Sequence, residues 1–208
     1  AAPLGPVAAC AAGWRELWGT LRSLRHYRTV ALFLVAYWLY IDGVGTIIKM
    51  AVDYGLSLGF ASNSLIVALL ITQFVAFPAA LAFGWLGDRL GAKTGILIGI
   101  GVYLGVTLWA YFLDTVTEFY VMAGVIGLVQ GGVQSLSRSL YGRIIPAAKS
   151  GEFFGFFNMM GKFAAIVGPF LMGWVAVTMQ SSRMGIASIA LLFIAGGALL
   201  CLVKEERA

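Results

Sequence analysis

Residues 84–93 join two long apolar segments and show how the chain turns between them. They read Gly84-Trp85-Leu86-Gly87-Asp88-Arg89-Leu90-Gly91-Ala92-Lys93. Glycine and charged residues are typical of turns and loops. The segments on either side are long enough to cross a bilayer, which takes about 20 residues of helix. The run therefore predicts a tight, charged loop between two membrane-spanning helices.

The composition indicates that lipid covers the molecule. Of the 208 residues, 61% are hydrophobic and 11% are charged, whereas soluble domains have about 25% charged residues. The net charge is +5, but the bases lie in short loops beside apolar segments. That pattern indicates membrane topology and not nucleic-acid binding, so we expect a lipid bilayer and no nucleic acid as partner.

Residues able to bind metals or act as nucleophiles are sparse. Cys10 and Cys201 lie near opposite ends, and the one histidine, His26, lies in the basic N-terminal region. Their spacing fits neither a zinc site nor a disulfide framework. The sequence also has no HExxH helix motif and no nucleophile elbow. It therefore predicts no metal, no cofactor and no enzyme.

Six apolar segments predict an all-α membrane protein with a six-transmembrane-helix bundle in residues 29–208. They are residues 29–53, 62–84, 94–113, 117–139, 152–178 and 185–203. Each is too long for a strand of a membrane barrel, whose residues alternate over about ten positions. Residues 1–28 are predicted to be a cytosolic linker. Its last part spaces apolar residues as an amphipathic surface helix does: Trp14, Leu17, Trp18, Leu21 and Leu24.

The lysines and arginines predict the orientation of the bundle. Eleven lie on one side: Arg15, Arg22, Arg25, Arg28, Arg89, Lys93, Arg138, Arg143, Lys149, Lys204 and Arg207. The loops on the other side hold only Arg183. Because cytoplasmic loops carry the excess of bases, both termini are predicted to be cytosolic. We expect the membrane to be a bacterial inner (plasma) membrane.

Ionisable residues inside the first segment are costly in lipid, by at least about 2.5–3.5 kcal/mol each. Asp42 lies at mid-depth, and Lys49 follows two helical turns later on the same face. Lys49 also has Asp53 four residues away, so the two form either a local ion pair at the interface or part of a pathway. Gly43 and Gly45 are expected to let the helix bend or unwind beside Asp42.

The fourth and fifth segments also carry polar residues at helical spacing. Gln130, Gln134 and Arg138 share one stripe, and Asn158 and Lys162 are four residues apart. One interpretation is that the amides hydrogen-bond between helices and hold the bundle together. The other is that these residues and Asp42, which residue counting puts at the depth of Gln130 and Lys162, line a central cavity for a substrate or protons.

Glycine and proline predict where helices approach each other or bend. Three small-xxx-small pairs predict close packing: Gly95/Gly99, Gly101/Gly105 and Gly127/Gly131. Pro169, within the glycine-rich residues 161–173, predicts a kink in the fifth segment.

The opening run resembles the signature loop of the major facilitator superfamily. The chain keeps Gly84, Asp88, Arg89, Gly91 and Lys93 of that pattern and departs from it at Ala92. Residues 40–46, 131–139 and 151–155 are similar to the branch of vacuolar amino-acid effluxers and their bacterial relatives. The resemblance implies the C-terminal six helices of a twelve-helix protein, built as two inverted three-helix repeats, here 29–113 and 117–203. It also implies a partner, either an N-terminal six-helix half or a second copy, and a chain cut from something longer.

The resemblance further implies a charge network that closes a cytosolic gate. Its residues here are Gly84, Asp88, Arg89, Gly91, Lys93, Arg138 and Glu152. In this network Asp88 lies near a helix N-terminus, while Arg89 and Arg138 pair with Glu152.

Together these observations predict a secondary active transporter, or its C-terminal half, that moves a small solute by alternating access. Asp42 is the candidate protonation site for proton coupling. The other candidate pathway residues are Lys49, Gln130, Gln134, Asn158 and Lys162. An acid and a base at one cavity suit a zwitterion such as an amino acid. The alternative is a membrane scaffold or assembly subunit that transports nothing, and no filter-like repeat favours a channel.

Overall fold

The computed structural model describes residues 27–146, 149–164 and 166–204, except that only the backbone of Asp88 is described. Within those ranges the chain is helical and has no strand. The helices are α1 Arg28–Ser57, α2 Ser62–Leu90, α3 Ala92–Tyr111, α4 Val116–Ile144, α5 Ser150–Phe163, α6 Val167–Thr178, α7 Ser182–Ser188 and α8 Ala190–Leu202. The predicted surface helix, Cys10 and His26 lie outside the described residues.

These helices form six membrane-length spans, which confirms the predicted bundle. Helices α1 to α4 are one span each, α5 and α6 together make the fifth, and α7 and α8 make the sixth. The bundle has a basic end, where α2 meets α3 and α4 meets α5, and an opposite end, where α1 meets α2 and α3 meets α4.

The predicted charged loop is shorter than the sequence suggested. Helix α2 continues to Leu90, and α3 begins at Ala92. The whole turn is Gly91, whose φ of 88° is a conformation that glycine adopts without a Cβ clash. Hydropathy marks where a segment leaves the apolar core, not where its backbone hydrogen bonds end. The helices therefore extend beyond the apolar segments.

The core lies where α1, α3, α4 and α8 meet. Large aromatic side chains fill it: Phe33, Tyr40, Tyr54, Tyr103, Tyr141, Phe153 and Phe193 are buried. Helix α2 and the fifth span instead present exposed apolar side chains, including Phe74, Phe77, Leu81, Phe170 and Trp174. In a bilayer such faces cost nothing, because lipid tails are as apolar as the side chains.

Two of the three predicted glycine pairs lie at close helix contacts. A Cβ on Gly127 would lie 2.7 Å from the Thr72 carbonyl oxygen of α2, and one on Gly131 would lie 2.9 Å from Ala80 Cβ. Gly95 and Gly99 of α3 lie against side chains of α4. The prediction was wrong for Gly101/Gly105, where a Cβ meets nothing within 4 Å because that face of α3 points out of the bundle.

The fifth span is divided into two helices, whereas the first span is one continuous helix. Helix α1 runs unbroken through Gly43 and Gly45, so the predicted unwinding there was wrong; the Phe193 ring packs against Gly43 and supports the helix. In the fifth span α5 ends at Phe163 and α6 begins at Val167. Pro169 is the third residue of α6. Its ring and missing N–H are tolerated in a first turn but not in a helix interior without distortion.

Arg183 ties two loops together at the opposite end of the bundle. Its guanidinium donates to the carbonyl oxygens of Tyr111 (3.1 Å) and Leu113 (3.2 Å) and to Asp114 Oδ1 (2.5 Å). The carbonyls belong to the end of α3, where a cation is favourable. The base that stood alone in the topology count therefore caps a helix.

Candidate functional site

Asp42 lies buried where α1 meets the start of α6, with 2% of its surface exposed. Its Oδ2 accepts a hydrogen bond from the Gly168 amide at 3.0 Å. The first amides of a helix have no partner within the helix, and the dipole makes that end positive. Because Pro169 has no N–H and the Phe170 amide bonds to Ile166 O at 3.2 Å, the amides left for Asp42 to satisfy are at the very start of α6. Asp42 is therefore a cap supplied by another span.

Thr46 completes this contact from the next turn of α1. Its hydroxyl donates to the Asp42 carbonyl oxygen at 2.7 Å and lies 3.5 Å from Asp42 Oδ1. A Cβ on Gly168 would collide with the Thr46 side chain. Only glycine at 168 lets the α6 backbone come close enough to reach the carboxylate.

The sequence identified some members of this site but not their pairing. Asp42 was predicted as a mid-membrane acid, and residues 161–173 were predicted to hold a kink. Thr46 and the Gly168 amide were missed. The available signals were the four-residue spacing from Asp42 to Thr46 and the Gly168-Pro169 dipeptide, which in a membrane span frees backbone amides that need a partner.

A second polar contact joins α4 and α5. The Arg138 guanidinium donates to Asn158 Oδ1 at 2.8 Å, and both side chains are exposed. Gln134 and Lys162, each four residues away on its own helix, are exposed as well. The two predicted stripes thus meet and form one polar face. The implied pairing of Arg138 with Glu152 was wrong, because Asn158 holds the guanidinium.

Gln130 is half-buried on α4, and its Oε1 is enclosed without a hydrogen-bond donor among the described residues. Two contacts between α1 and α4 indicate which part of α1 lies at the same height in the bundle as Gln130. Tyr40 and Ser137 share a hydrogen bond of 2.7 Å, and Ile47 and Ile126 line one crevice. Gln130 lies between these contacts, so it is level with the part of α1 just beyond Asp42.

Lys49 and Asp53 are both exposed on α1. They do not form an ion pair: among the side chains that the structure describes, the ion pair within 4.0 Å is that of Arg183 with Asp114. The local ion-pair interpretation was therefore wrong for this structure. Lys49 lies seven residues after Asp42, which is two helical turns along the same face of α1.

The implied gate residues at the basic end have other partners. The Arg89 guanidinium lies 3.9 Å from the centre of the Trp85 ring, a cation–π contact within α2. Lys93 Nζ donates to the carbonyl oxygens of Cys201 (2.9 Å) and Val203 (2.6 Å) at the end of α8. Glu152 is exposed and has no ion pair within 4.0 Å among the described side chains, so its implied pairing with Arg89 is not formed in this structure. A Cβ on Gly84 meets nothing within 4 Å, and the Asp88 side chain lies outside the described part.

An aromatic cluster, which sequence reasoning missed, holds α5 against α1 and α4. Phe157 stacks on Tyr37 at 4.2 Å and on Tyr141 at 4.8 Å between ring centres. The Tyr141 hydroxyl donates to the Phe153 carbonyl oxygen at 3.0 Å. The four phenylalanines of residues 153–157 were the available signal. This cluster seals the basic end of the bundle between the three helices.

An apolar crevice opens between α1, α2 and α4. It is lined by Ile48, Val52, Leu65, Leu69, Phe119 and Met122, among others, and by none of the candidate polar residues. Within the described residues no three His, Cys, Asp or Glu side chains come together as metal ligands would.

Comparisons with known proteins bear on the whole bundle. A profile of the family described as "Vacuole effluxer Atg22 like" matches residues 5–208. The uncharacterized MFS-type transporter YxiO of Bacillus subtilis is 42% identical over 93% of this chain and 45% of its own length. Autophagy-related protein 22 of Yarrowia lipolytica is 26% identical over 94% of this chain and 35% of its own length. The chain thus spans less than half the length of these relatives.

The fold also matches a solved structure. The crystal structure of an auto inhibited POT family peptide transporter superposes with a TM-score of 0.66 at 17% identity, over 87% of this chain and 38% of the other. At that identity the likeness concerns the fold, which is that of a transporter's six-helix bundle.

Proposed function

Because the chain belongs to the vacuole effluxer Atg22-like family, we propose that it forms one half of a secondary active transporter that moves a small solute across a membrane by alternating access. The family and the six spans make it a multi-pass membrane protein of transporter type. What we propose beyond this is the class of solute, the coupling to protons and the residues of the pathway.

One observation carries it: amide and charged side chains stand exposed on the membrane spans. Gln134, Arg138, Asn158 and Lys162 share the α4–α5 face, and Lys49 stands on α1. Each charge would cost at least about 2.5–3.5 kcal/mol against lipid. A water-filled cavity, closed by further protein on its other side, removes that cost.

The second side of the cavity needs a partner. The chain covers less than half of its relatives' length, and an N-terminal six-helix half is the partner we favour. A second copy of this bundle is the alternative. The excess of bases at the basic end supports a cytosolic position for both termini, and the 42% identical relative from a bacterium supports a bacterial plasma membrane.

The polar groups favour a zwitterionic solute such as an amino acid. Lys162 and Arg138 are exposed and supply positive charge for the carboxylate of such a solute. Asp42 is buried against α6, so it could accept from an ammonium group only where that contact opens. Asp42 is the one carboxylate among the buried residues of the described structure. It is therefore the group we assign to proton coupling.

The test is flux through the complete transporter in proteoliposomes, with labelled amino acids and an imposed proton gradient. The Asp42→Asn variant is expected to lose gradient-driven accumulation but to keep exchange of solute across the membrane. Asp53→Asn is the matched control, since Asp53 is exposed on the same helix, and it is expected to behave like the wild type.

Two results would contradict the proposal in different ways. Unchanged accumulation by Asp42→Asn would remove Asp42 from the coupling. A folded wild-type protein that moves no amino acid, with unchanged complex assembly in Lys162→Gln and Arg138→Gln variants, would favour the scaffold.

A further inference from the structure

We propose that the Asp42 carboxylate is a latch that holds α6, the second half of the fifth span, against α1, and that neutralising this carboxylate releases α6 while α5 stays in place. The trigger in the cell rests on the proposed function, since proton coupling would supply it. The latch itself rests on the contacts between α1 and α6.

The two halves of the fifth span are held by different means. Helix α5 buries Phe153, Phe156 and Phe157 in the aromatic cluster. Helix α6 buries only Gly168 and Met172, while Phe170, Trp174 and Val177 are exposed. Helix α6 also packs Val167 and Leu171 on the core, and Gly185 of α7 lies close to its Met172 carbonyl. Among the described residues, the hydrogen bond that joins α6 to α1 is the one from Gly168 to Asp42.

The backbone allows the halves to move separately. Among the described residues, the helical bonds of α5 run as far as that from the Ala164 amide to Met160 O at 2.9 Å, and the next series begins with Phe170 to Ile166 O. Since the helix stops at Phe163 and restarts at Val167, the regular ladder of backbone bonds does not tie α6 to α5. Helix ends of this kind are where hinge motion concentrates.

The charge of Asp42 supplies the strength of the latch. A hydrogen bond to an ionised acceptor is about twice as strong as one between neutral groups, and a negative charge also interacts favourably with the helix N-terminus. A protonated carboxyl loses both contributions, although its oxygen can still accept a weak hydrogen bond. Thr46 keeps the carboxylate in place through its contacts with the same residue.

The charged groups near the latch are few. Lys49 lies two helical turns from Asp42 on α1, and Lys162 is the basic residue of α5 nearest the break. Helix α6 carries no ionisable side chain, and the facing stretch of α4 offers the neutral Gln130. Protonation of Asp42 is therefore the titration that acts directly on the α1–α6 contact.

The experiment measures distances between pairs of spin labels in the protein in lipid nanodiscs, with Cys10 and Cys201 replaced by serine. One pair, at Val121 of α4 and Val177 of α6, reports on α6. The control pair, at Gly155 of α5 and Leu202 of α8, reports on α5. All four positions are exposed, so the labels leave the core intact.

Asp42→Ala and Gly168→Ala are expected to shift the Val121–Val177 distance beyond the width of the wild-type distribution and to leave the Gly155–Leu202 distance unchanged. Gly168→Ala acts by the collision with Thr46 and keeps the charge. Gly173→Ala is the matched control in the same helix, because a Cβ there meets nothing within 4 Å. Acid is expected to shift the α6 pair in the wild type but not further in Asp42→Ala.

Wild-type distances in both Asp42→Ala and Gly168→Ala would overturn the latch. A shift of both label pairs together would also overturn it, because the fifth span would then move as one body. The distance measurement uses no solute. The latch can therefore be refuted while the transport proposal is supported, and it can be supported while the transport proposal is refuted.

Discussion

Two helix crossings in this bundle both depend on glycine but are built differently. Where α2 crosses α4, glycines let the backbones approach: Gly127 faces the Thr72 carbonyl and Gly131 faces Ala80. Where α1 crosses α6, one glycine does the same, but a buried carboxylate bonds to the backbone amide of Gly168. The first contact is mostly van der Waals packing, and the second depends on a charge.

The difference indicates which contact is suited to move. Packing between two unbroken helices has no group that a ligand or a proton changes, so the α2–α4 crossing is a fixed frame. The α1–α6 crossing joins an unbroken helix to half of a broken one through a group that titrates. If Asp42 acts as the proposed latch, a single proton alters the second contact and leaves the first unchanged.

The largest effect is expected from Gly127→Leu at the fixed crossing. The new side chain would start 2.7 Å from a backbone oxygen that cannot move aside, so we expect a loss of about 3 kcal/mol in the free energy of unfolding. Gly101→Leu is the control, since that site is open, and it should change stability by less than about 0.5 kcal/mol. Equal stabilities in a reversible unfolding assay in mixed micelles would show that α2 and α4 are not in contact.

A smaller loss is expected from Asp42→Ala at the titratable crossing. Removing the acceptor leaves the Gly168 amide buried and unpaired, which costs about 1–3 kcal/mol. Asp42→Asn keeps an acceptor and should fall between Ala and wild type, while Asp53→Ala at an exposed position should have little effect. If Asp42→Ala unfolds at the wild-type midpoint, the cap contributes nothing to stability and the contrast between the crossings fails.

The smallest effect concerns the basic end, where Lys93 caps α8. Lys93→Met removes two hydrogen bonds to the carbonyls of Cys201 and Val203, and we expect a loss of about 1 kcal/mol. Hydrogen exchange should become faster in the last turn of α8 and not in α1 or α4. Lys204→Met, which changes a neighbouring exposed lysine, serves as control. Equal exchange in both variants would return Lys93 to the gate role that the resemblance implied.

Much of the fold was predictable because it depends on local composition. Twenty apolar residues in a row specify a span wherever they occur, and glycines at four-residue spacing specified two of the three close contacts. Gly101/Gly105 failed because spacing does not tell which face of a helix has a neighbour. A bend was predicted at Gly43 and Gly45 as well as at Pro169. Helix α1 is continuous, with the Phe193 ring packed on Gly43, whereas proline acts through a missing donor that packing cannot restore.

The sequence alone therefore established six spans, an excess of bases at one end and a set of polar residues that lipid does not tolerate. Each of these depends only on the composition of a single segment and on the water or lipid around it. The tertiary structure determined which of those residues meet. Asp42 and Gly168 are 126 positions apart in the sequence, and Arg138 donates its hydrogen bond to Asn158 and not to Glu152. Such pairings follow from how the helices cross and rotate against one another, and that arrangement is settled by the packing of all the spans together.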